Sequence, residues 1–171
     1  EDNFRSYGYN NPDLSLSSYN SILLDEITIE EKADNTVTAA LLTRIKNSAR
    51  TKIREEVQVS YSLASSAKPN VMRMQVNFRD ADLTGEEMGA LDFLPIKAAW
   101  NLGKKITDNN TKVPFMVFES RISDSVSGEL IRARIFVFRG EGFEGDMAPN
   151  TFESLVVNSI DKAFEKSDIK Q

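Results

Sequence analysis

"VPFMVFESRISDSVSGELIRARIFVFR", residues 113 to 139, holds two runs dense in β-branched and aromatic residues around a single break at Ser125-Val126-Ser127-Gly128. That density predicts strands over 113–124 and 129–139, joined as a hairpin. A four-residue loop with Gly128 in the left-handed position closes Asp124 against Glu129. In regular register Ile122 then faces Ile131, Ser120 faces Ala133, Phe118 faces Ile135 and Met116 faces Val137, all on one side. Arg121 with Arg132, Glu119 with Arg134, and Val117 with Phe136 take the other side. A two-residue Ser127-Gly128 loop moves the partners by two and keeps this parity. One side is dry and the other wet, the pattern of an antiparallel sheet packed on one face.

Working upstream, "VMRMQVNFRD" alternates Met72, Met74, Val76 and Phe78 against Arg73, Gln75, Asn77 and Arg79. "VQVSYSL" sets Val57, Val59, Tyr61 and Leu63 against polar residues in the same way, so the two read as strands linked by the hairpin loop "ASSAKPN". "ILLDEITI", from Ile22 to Ile29, reads as an earlier strand. Between these runs the period changes to that of helices. Residues 34–56 place Val37, Ala40, Leu41, Ile45, Ala49 and Ile53 on one stripe, behind Asp34 or Asn35 as cap, with Arg44, Lys46, Arg50, Lys52 and Arg54 on the solvated side. "LDFLPIKAAWNLGKKI", residues 91–106, reads as a second helix, with Pro95 in its first turn and Lys104 and Lys105 in its last. A third follows Pro149 and carries Phe152, Leu155, Val156, Ile160, Ala163 and Phe164 on one stripe. The order β-α-β-β-α-β-β-α predicts one α+β domain over 20–171, a two-layer sandwich of a mostly antiparallel sheet with helices packed on one face. Residues 1–19, rich in Asn, Ser and Tyr and interrupted by Gly8 and Pro12, read as a flexible N-terminal arm or tether.

The inventory of side chains narrows the chemistry. The chain has 171 residues, 40% hydrophobic and 27% charged, which fits one ordinary domain. A chain of this size buries roughly 70% of its unfolded surface and needs no disulfide or metal to stand. Cys and His are both absent. No Ser-His or Cys-His pair can therefore activate a nucleophile, and imidazole and thiolate metal ligands are missing too. Asp80, Asp82, Glu86 and Glu87 lie where a strand runs into a loop, an ordinary place for acids. We expect no enzyme, no metal and no cofactor. The net charge of −5 speaks against a nucleic-acid partner. Apolar runs all fall short of the ~20 residues that span a bilayer.

One motif invites a nucleotide. Gly140, Gly142 and Gly145 in "RGEGFEGD" have the G-x-G-x-x-G spacing. A dinucleotide fingerprint, however, needs a helix at its third Gly and a strand after it. Here the helix waits for Pro149, and Glu141, Glu144 and Asp146 would repel a pyrophosphate. The same acids suit calcium in type but not in spacing. The segment reads as a solvated strand-to-helix loop.

Two surfaces remain as candidates. The wet sheet face gathers Arg73, Arg79, Arg121, Arg132 and Arg134, with Glu119 as the opposing charge, and could receive an anionic group. The second helix is apolar on two sides, with Leu94, Ala98 and Leu102 on one and Ile96, Trp100 and Gly103 on the other. Its second stripe is either buried against neighbours or a partner contact centred on Trp100.

The stretch "LPIKAAWNLGKKI…VPFMVFESRISDSVSGELIRARI" resembles a family of uncharacterised lipoproteins from Gram-negative bacteria, a domain of unknown function. The resemblance is carried by Leu94-Pro95, the Lys104-Lys105 pair, Asp124-Ser125 with Gly128-Glu129, and the Tyr-then-aliphatic entry "SLSSYNSILLDEITI". It spans about residues 14 to 165 and does not account for the Glu-rich "GEGFEG" loop. It implies a signal peptide and a lipidated Cys upstream, a mature domain at the periplasmic face of the envelope, and anchoring in the outer membrane through lipid alone. The arm would then be the tether. No catalytic residue transfers. The resemblance implies an address more than an activity. For the role we expect non-enzymatic binding or scaffolding of another envelope component; the alternatives are a small-ligand or anion-binding module on the arginine face and, third, an enzyme of unknown class.

Overall fold

The computed structural model describes residues 4–29, 39–79, 115–139 and 149–165. In chain order the elements are β1 (Phe4–Asn10), a 3-10 turn (Leu16–Ser18), β2 (Ser21–Leu24), β3 (Thr28–Ile29), α1 (Ala39–Gln58), β4 (Ser62–Leu63), β5 (Val71–Arg79), β6 (Phe115–Asp124), β7 (Leu130–Arg139) and α2 (Pro149–Glu165). The strands form one mixed sheet of order β1-β7-β6-β5-β2-β4, with β3 alongside β5. Its β1-β7-β6-β5 half is antiparallel, and β2 runs parallel to both β4 and β5. The architecture is the α+β arrangement that the alternating strands and helical stripes predict. The second predicted helix, 91–106, and the glycine-rich loop lie outside the described residues.

Both described helices cover one sheet face. Ile45, Ala49, Ile53 and Val57 of α1, with Val156, Ile160, Ala163 and Phe164 of α2, bury against Met72, Met74, Val76 and Phe78 of β5 and Phe118 and Ile122 of β6. Lys52 of α1 reaches Asp161 of α2 at 2.6 Å, and Arg44 reaches Glu153 at 2.8 Å, so part of the basic side of α1 is spent on the neighbouring helix. Such half-exposed pairs contribute about 0–1 kcal/mol each, and the apolar seam carries the packing.

Residues 57–63 depart from the predicted strand. The helix continues to Gln58, and the Tyr61 amide still bonds the Val57 carbonyl at 3.0 Å. Ile53, Val57 and Tyr61 are four apart, so they fit a helical stripe as well as an alternation; Val59, 68% exposed, breaks the alternation. What remains of the strand is Ser62–Leu63, and it pairs with β2, not with β5. The predicted hairpin is thus a crossover with β2 inserted between its strands.

The last hairpin keeps its turn and changes its phase. Gly128 is left-handed at φ 74°, and the Asp124 amide bonds the Glu129 carbonyl at 2.9 Å, as the four-residue loop requires. Asp124 organises that loop: Oδ1 accepts the amides of Val126 (2.9 Å) and Ser127 (2.7 Å), and Oδ2 accepts the Tyr19 hydroxyl (3.1 Å). Ser125 ties the same turn to the loop before β5 through the Lys68 amide and carbonyl. Beyond it, Ser123 pairs with Leu130 but Ile122 pairs with Arg132, leaving Ile131 as an extra residue in β7. This bulge puts Ile131 and Arg132 in succession into the buried layer, 2% and 4% exposed. Every later β7 side chain has the opposite parity from the regular hairpin. Phe136, expected on the wet side, lies in the core against Phe118, with ring centroids 4.5 Å apart. Ile135 stands across from Glu119 on the other side.

β1 occupies residues read as a loose arm. Phe4–Asn10 pairs with β7 along its full length and forms an edge of the sheet. Gly8 is required there: a Cβ would collide with Nη1 of Arg134 and stand 2.7 Å from the Ala133 carbonyl oxygen. The Arg134 side chain crosses Gly8 and donates to the Tyr9 carbonyl (3.0 Å) and to Asn10 Oδ1 (2.9 Å), holding β1 in place.

Candidate functional site

The sheet face opposite α1 and α2 begins at the end of β2. The Asp25 amide bonds the Met74 carbonyl at 3.0 Å, which fixes the carboxylate beside β5. Nε of Arg73 donates to both Asp25 oxygens, at 2.8 and 3.0 Å, and Nε2 of Gln75 donates to Oδ2 at 3.1 Å. The Asp25 hydrogen bond and charge push the pKa of Arg73 still higher, so its charge is permanent. One step along, the Thr28 hydroxyl donates to Asn77 Oδ1 at 2.9 Å. On β6, Arg121 lies opposite Gln75 and Glu119 opposite Asn77. These side chains line an open recess of about 520 Å³. Arg121 is exposed and makes no ion pair or hydrogen bond among the described residues.

Next to the recess the same face turns apolar. Register places Ala133, Ile135 and Val137 of β7 on this side, with Tyr7 and Tyr9 of β1 beyond them. Tyr9 is 48% exposed. The face therefore presents a mixed-charge half over β2, β5 and β6 and an aromatic and aliphatic half over β7 and β1.

The five arginines expected together are divided. Arg73 and Arg121 share the recess. Arg79 ends β5 opposite Val117, and its side chain lies outside the described residues. Arg132 and Arg134 belong to the helix-bearing side, because the bulge at Ile131 reverses the parity of β7. Arg132 is buried near Tyr61, whose phenol pKa is raised by burial and drawn partly back by the guanidinium. Arg134 is spent on β1. The expected Arg134–Glu119 neighbourhood is absent, since Arg134 pairs with Ser120. Trp100 lies outside the described residues. Gln75 and Asn77 line the recess on the side where the alternation of β5 puts them. Asp25 and Thr28 lay outside the expected site, and an acid directly after the aliphatic run Ile22-Leu23-Leu24 is the one signal that points to the first.

Among the described residues no three acidic side chains gather as a cation site, and no helix is long and apolar enough to cross a membrane. The recess offers hydrogen-bond donors, acceptors and one unengaged cation, and so the means to hold a polar partner.

Comparison with known proteins places the chain in a family. A family model described as a protein of unknown function, DUF3313, matches residues 1–155, and the chain belongs to that family. No curated protein matches it. Among solved structures it is similar to a DUF4136 family protein from Bacteroides thetaiotaomicron, at 11% identity over 100% of this chain and 99% of that one, with a TM-score of 0.48. A DUF330 protein from Xanthomonas campestris is similar at 9% identity over 91% and 86%, with a TM-score of 0.49. Lipoprotein GNA1162 from Neisseria meningitidis is similar at 13% identity over 86% and 99%, with a TM-score of 0.37.

Proposed function

We propose that this DUF3313 member is a non-enzymatic binding module of the Gram-negative cell envelope, carried at the periplasmic face by a lipid anchor, and that it receives a protein partner on the sheet face opposite α1 and α2. The envelope address rests on the lipoprotein resemblance of residues 14 to 165. The binding reading rests on one observation above the others: Arg121 stands exposed and, among the described residues, makes no ion pair or hydrogen bond, in a recess that it shares with the Asp25–Arg73 pair, Glu26 and Glu119. A recess of both signs, continued by the apolar strip of Ala133, Ile135, Tyr7 and Tyr9, suits a protein surface with a polar and an apolar part. A bare anion finds one unengaged arginine there and acids beside it. Arg121 alone favours the anion reading, and salt dependence separates the two, since a single exposed charge is screened over ~8 Å at physiological ionic strength.

The test is photo-crosslinking of the full-length protein in cells, with the crosslinker at Gln75 inside the recess and, as control, at Arg54 on the exposed side of α1. One discrete protein adduct from position 75, lost on Arg121→Glu, is the expected outcome. Adducts of the same kind from both positions, or none from position 75, would refute the site. Fractionation of the same cells tests the address, which requires the protein in the membrane fraction and accessible from the periplasm.

A further inference from the structure

We infer that β1 is a pairing edge through which two copies of this chain join antiparallel into one continuous sheet. The ladder sets the geometry. The Asn11 amide bonds the Ile131 carbonyl at 2.8 Å, bracketing the Asn10–Arg132 pair, so that pair is of the non-hydrogen-bonded kind. Alternation gives Gly8 and Ser6 the same status, and the N–H and C=O groups of Ser6, Gly8 and Asn10 therefore point away from β7. Ser6, Gly8, Tyr9 and Asn10 are all exposed, and among the described residues no strand lies beyond β1.

Natural sheets blunt such an edge with charged side chains, proline, a bulge or a very short strand. Over its seven residues β1 has a single charge, Arg5 near its start, and no proline, and Pro12 comes only after its end. The edge is also preformed, because Arg134 crosses Gly8 and fastens the Tyr9–Asn10 end to β7.

The sequence of the strand is compatible with itself, which selects a second copy as the occupant. In full antiparallel overlap Tyr7 stands opposite Tyr7 of the second copy, Ser6 opposite Gly8, and Phe4 opposite Asn10. The outward groups then meet as mutually bonded pairs. Tyr7 falls at a non-hydrogen-bonded position, where side chains come closest and aromatic pairs stabilise a sheet. Arg5, the strand's one charge, faces Tyr9 of the second copy, so no like charges oppose each other.

Sedimentation equilibrium of the purified chain over a hundredfold concentration range should show a monomer–dimer equilibrium. Ser6→Pro removes an outward amide and no bond to β7, so it should give a monomer whose melting temperature matches that of the wild-type chain diluted to its monomeric range. Because the chain contains no Cys, single substitutions also read the register. Tyr7→Cys should form a disulfide dimer under mild oxidation, whereas Tyr9→Cys, four positions from its own copy's residue, should not. A wild-type chain monomeric throughout the range overturns the proposal. So does a dimer that Ser6→Pro leaves intact, or equal crosslinking at positions 7 and 9.

Discussion

Replacing Asp124 by alanine removes three acceptor contacts at once: the Val126 amide at 2.9 Å, the Ser127 amide at 2.7 Å and the Tyr19 hydroxyl at 3.1 Å. The turn is exposed, so the freed amides find water, and each contact is worth only its net value of about 0.5–1.5 kcal/mol. Because the three share one carboxylate and one turn, we expect a combined loss of about 1–3 kcal/mol, below the simple sum. Asp124→Asn keeps an acceptor for the amides and gives up the charge, so it should lie between wild type and alanine. The pH dependence follows from the same contacts. The Ser127 amide, with the Val126 amide and the two hydroxyls behind it, holds the Asp124 pKa below the usual carboxylate value against the opposing effect of burial. A depressed folded-state pKa means that the stabilisation is complete above the unfolded value of ~3.9 and is lost as pH falls through the folded one. Urea titrations at neutral pH should rank wild type first, Asp124→Asn second and Asp124→Ala last in stability, and the gap between wild type and Asp124→Asn should close in acid. Equal stability of wild type and Asp124→Ala at neutral pH would refute the role given to this turn.

Two other substitutions follow from the phase of β7 and the seating of β1. Arg132→Ala should cost about 2–5 kcal/mol because it empties a buried site, whereas Arg121→Ala, on the exposed face, should stay within about 0.5 kcal/mol in the same denaturation assay. Gly8→Ala should cost about 1–3 kcal/mol, and Arg134→Ala should rescue it only in part, since the Ala133 carbonyl oxygen also stands 2.7 Å from the new Cβ.

Most of the sheet was legible in the chain because β5 alternates cleanly, β6 does so from Phe118 to Ile122, and α2 has a single apolar stripe. Phase was not legible in β7. Residues 135–138 read Ile-Phe-Val-Phe, apolar at both parities, so hydrophobicity alone cannot choose a face. The choice falls to Phe136 stacking on Phe118, and the bulge at Ile131 accommodates it. β1 was hidden for a different reason. Gly8 interrupts its pattern, and the glycine makes sense only once Arg134 is seen to pass over it. Over 57–63 two periods coincide at Val57 and Tyr61, and the helical one prevails up to Gln58. The candidate site was half legible: Arg73 and Arg121 were identified, while Asp25 joins them through parallel pairing of β2 with β5, which local sequence does not encode.

Which residues of β7 share a side with Arg121 decides how the arginines divide and what the proposed docking face presents. Single cysteines placed in turn at positions 132, 133, 135 and 136 of the otherwise Cys-free chain, labelled with a small thiol reagent in the folded protein, measure this directly. Protection is expected at 132 and 136 and faster labelling at 133 and 135. Protection at 133 and 135 with rapid labelling at 132 and 136 would restore the unbulged hairpin and contradict this division of the arginines.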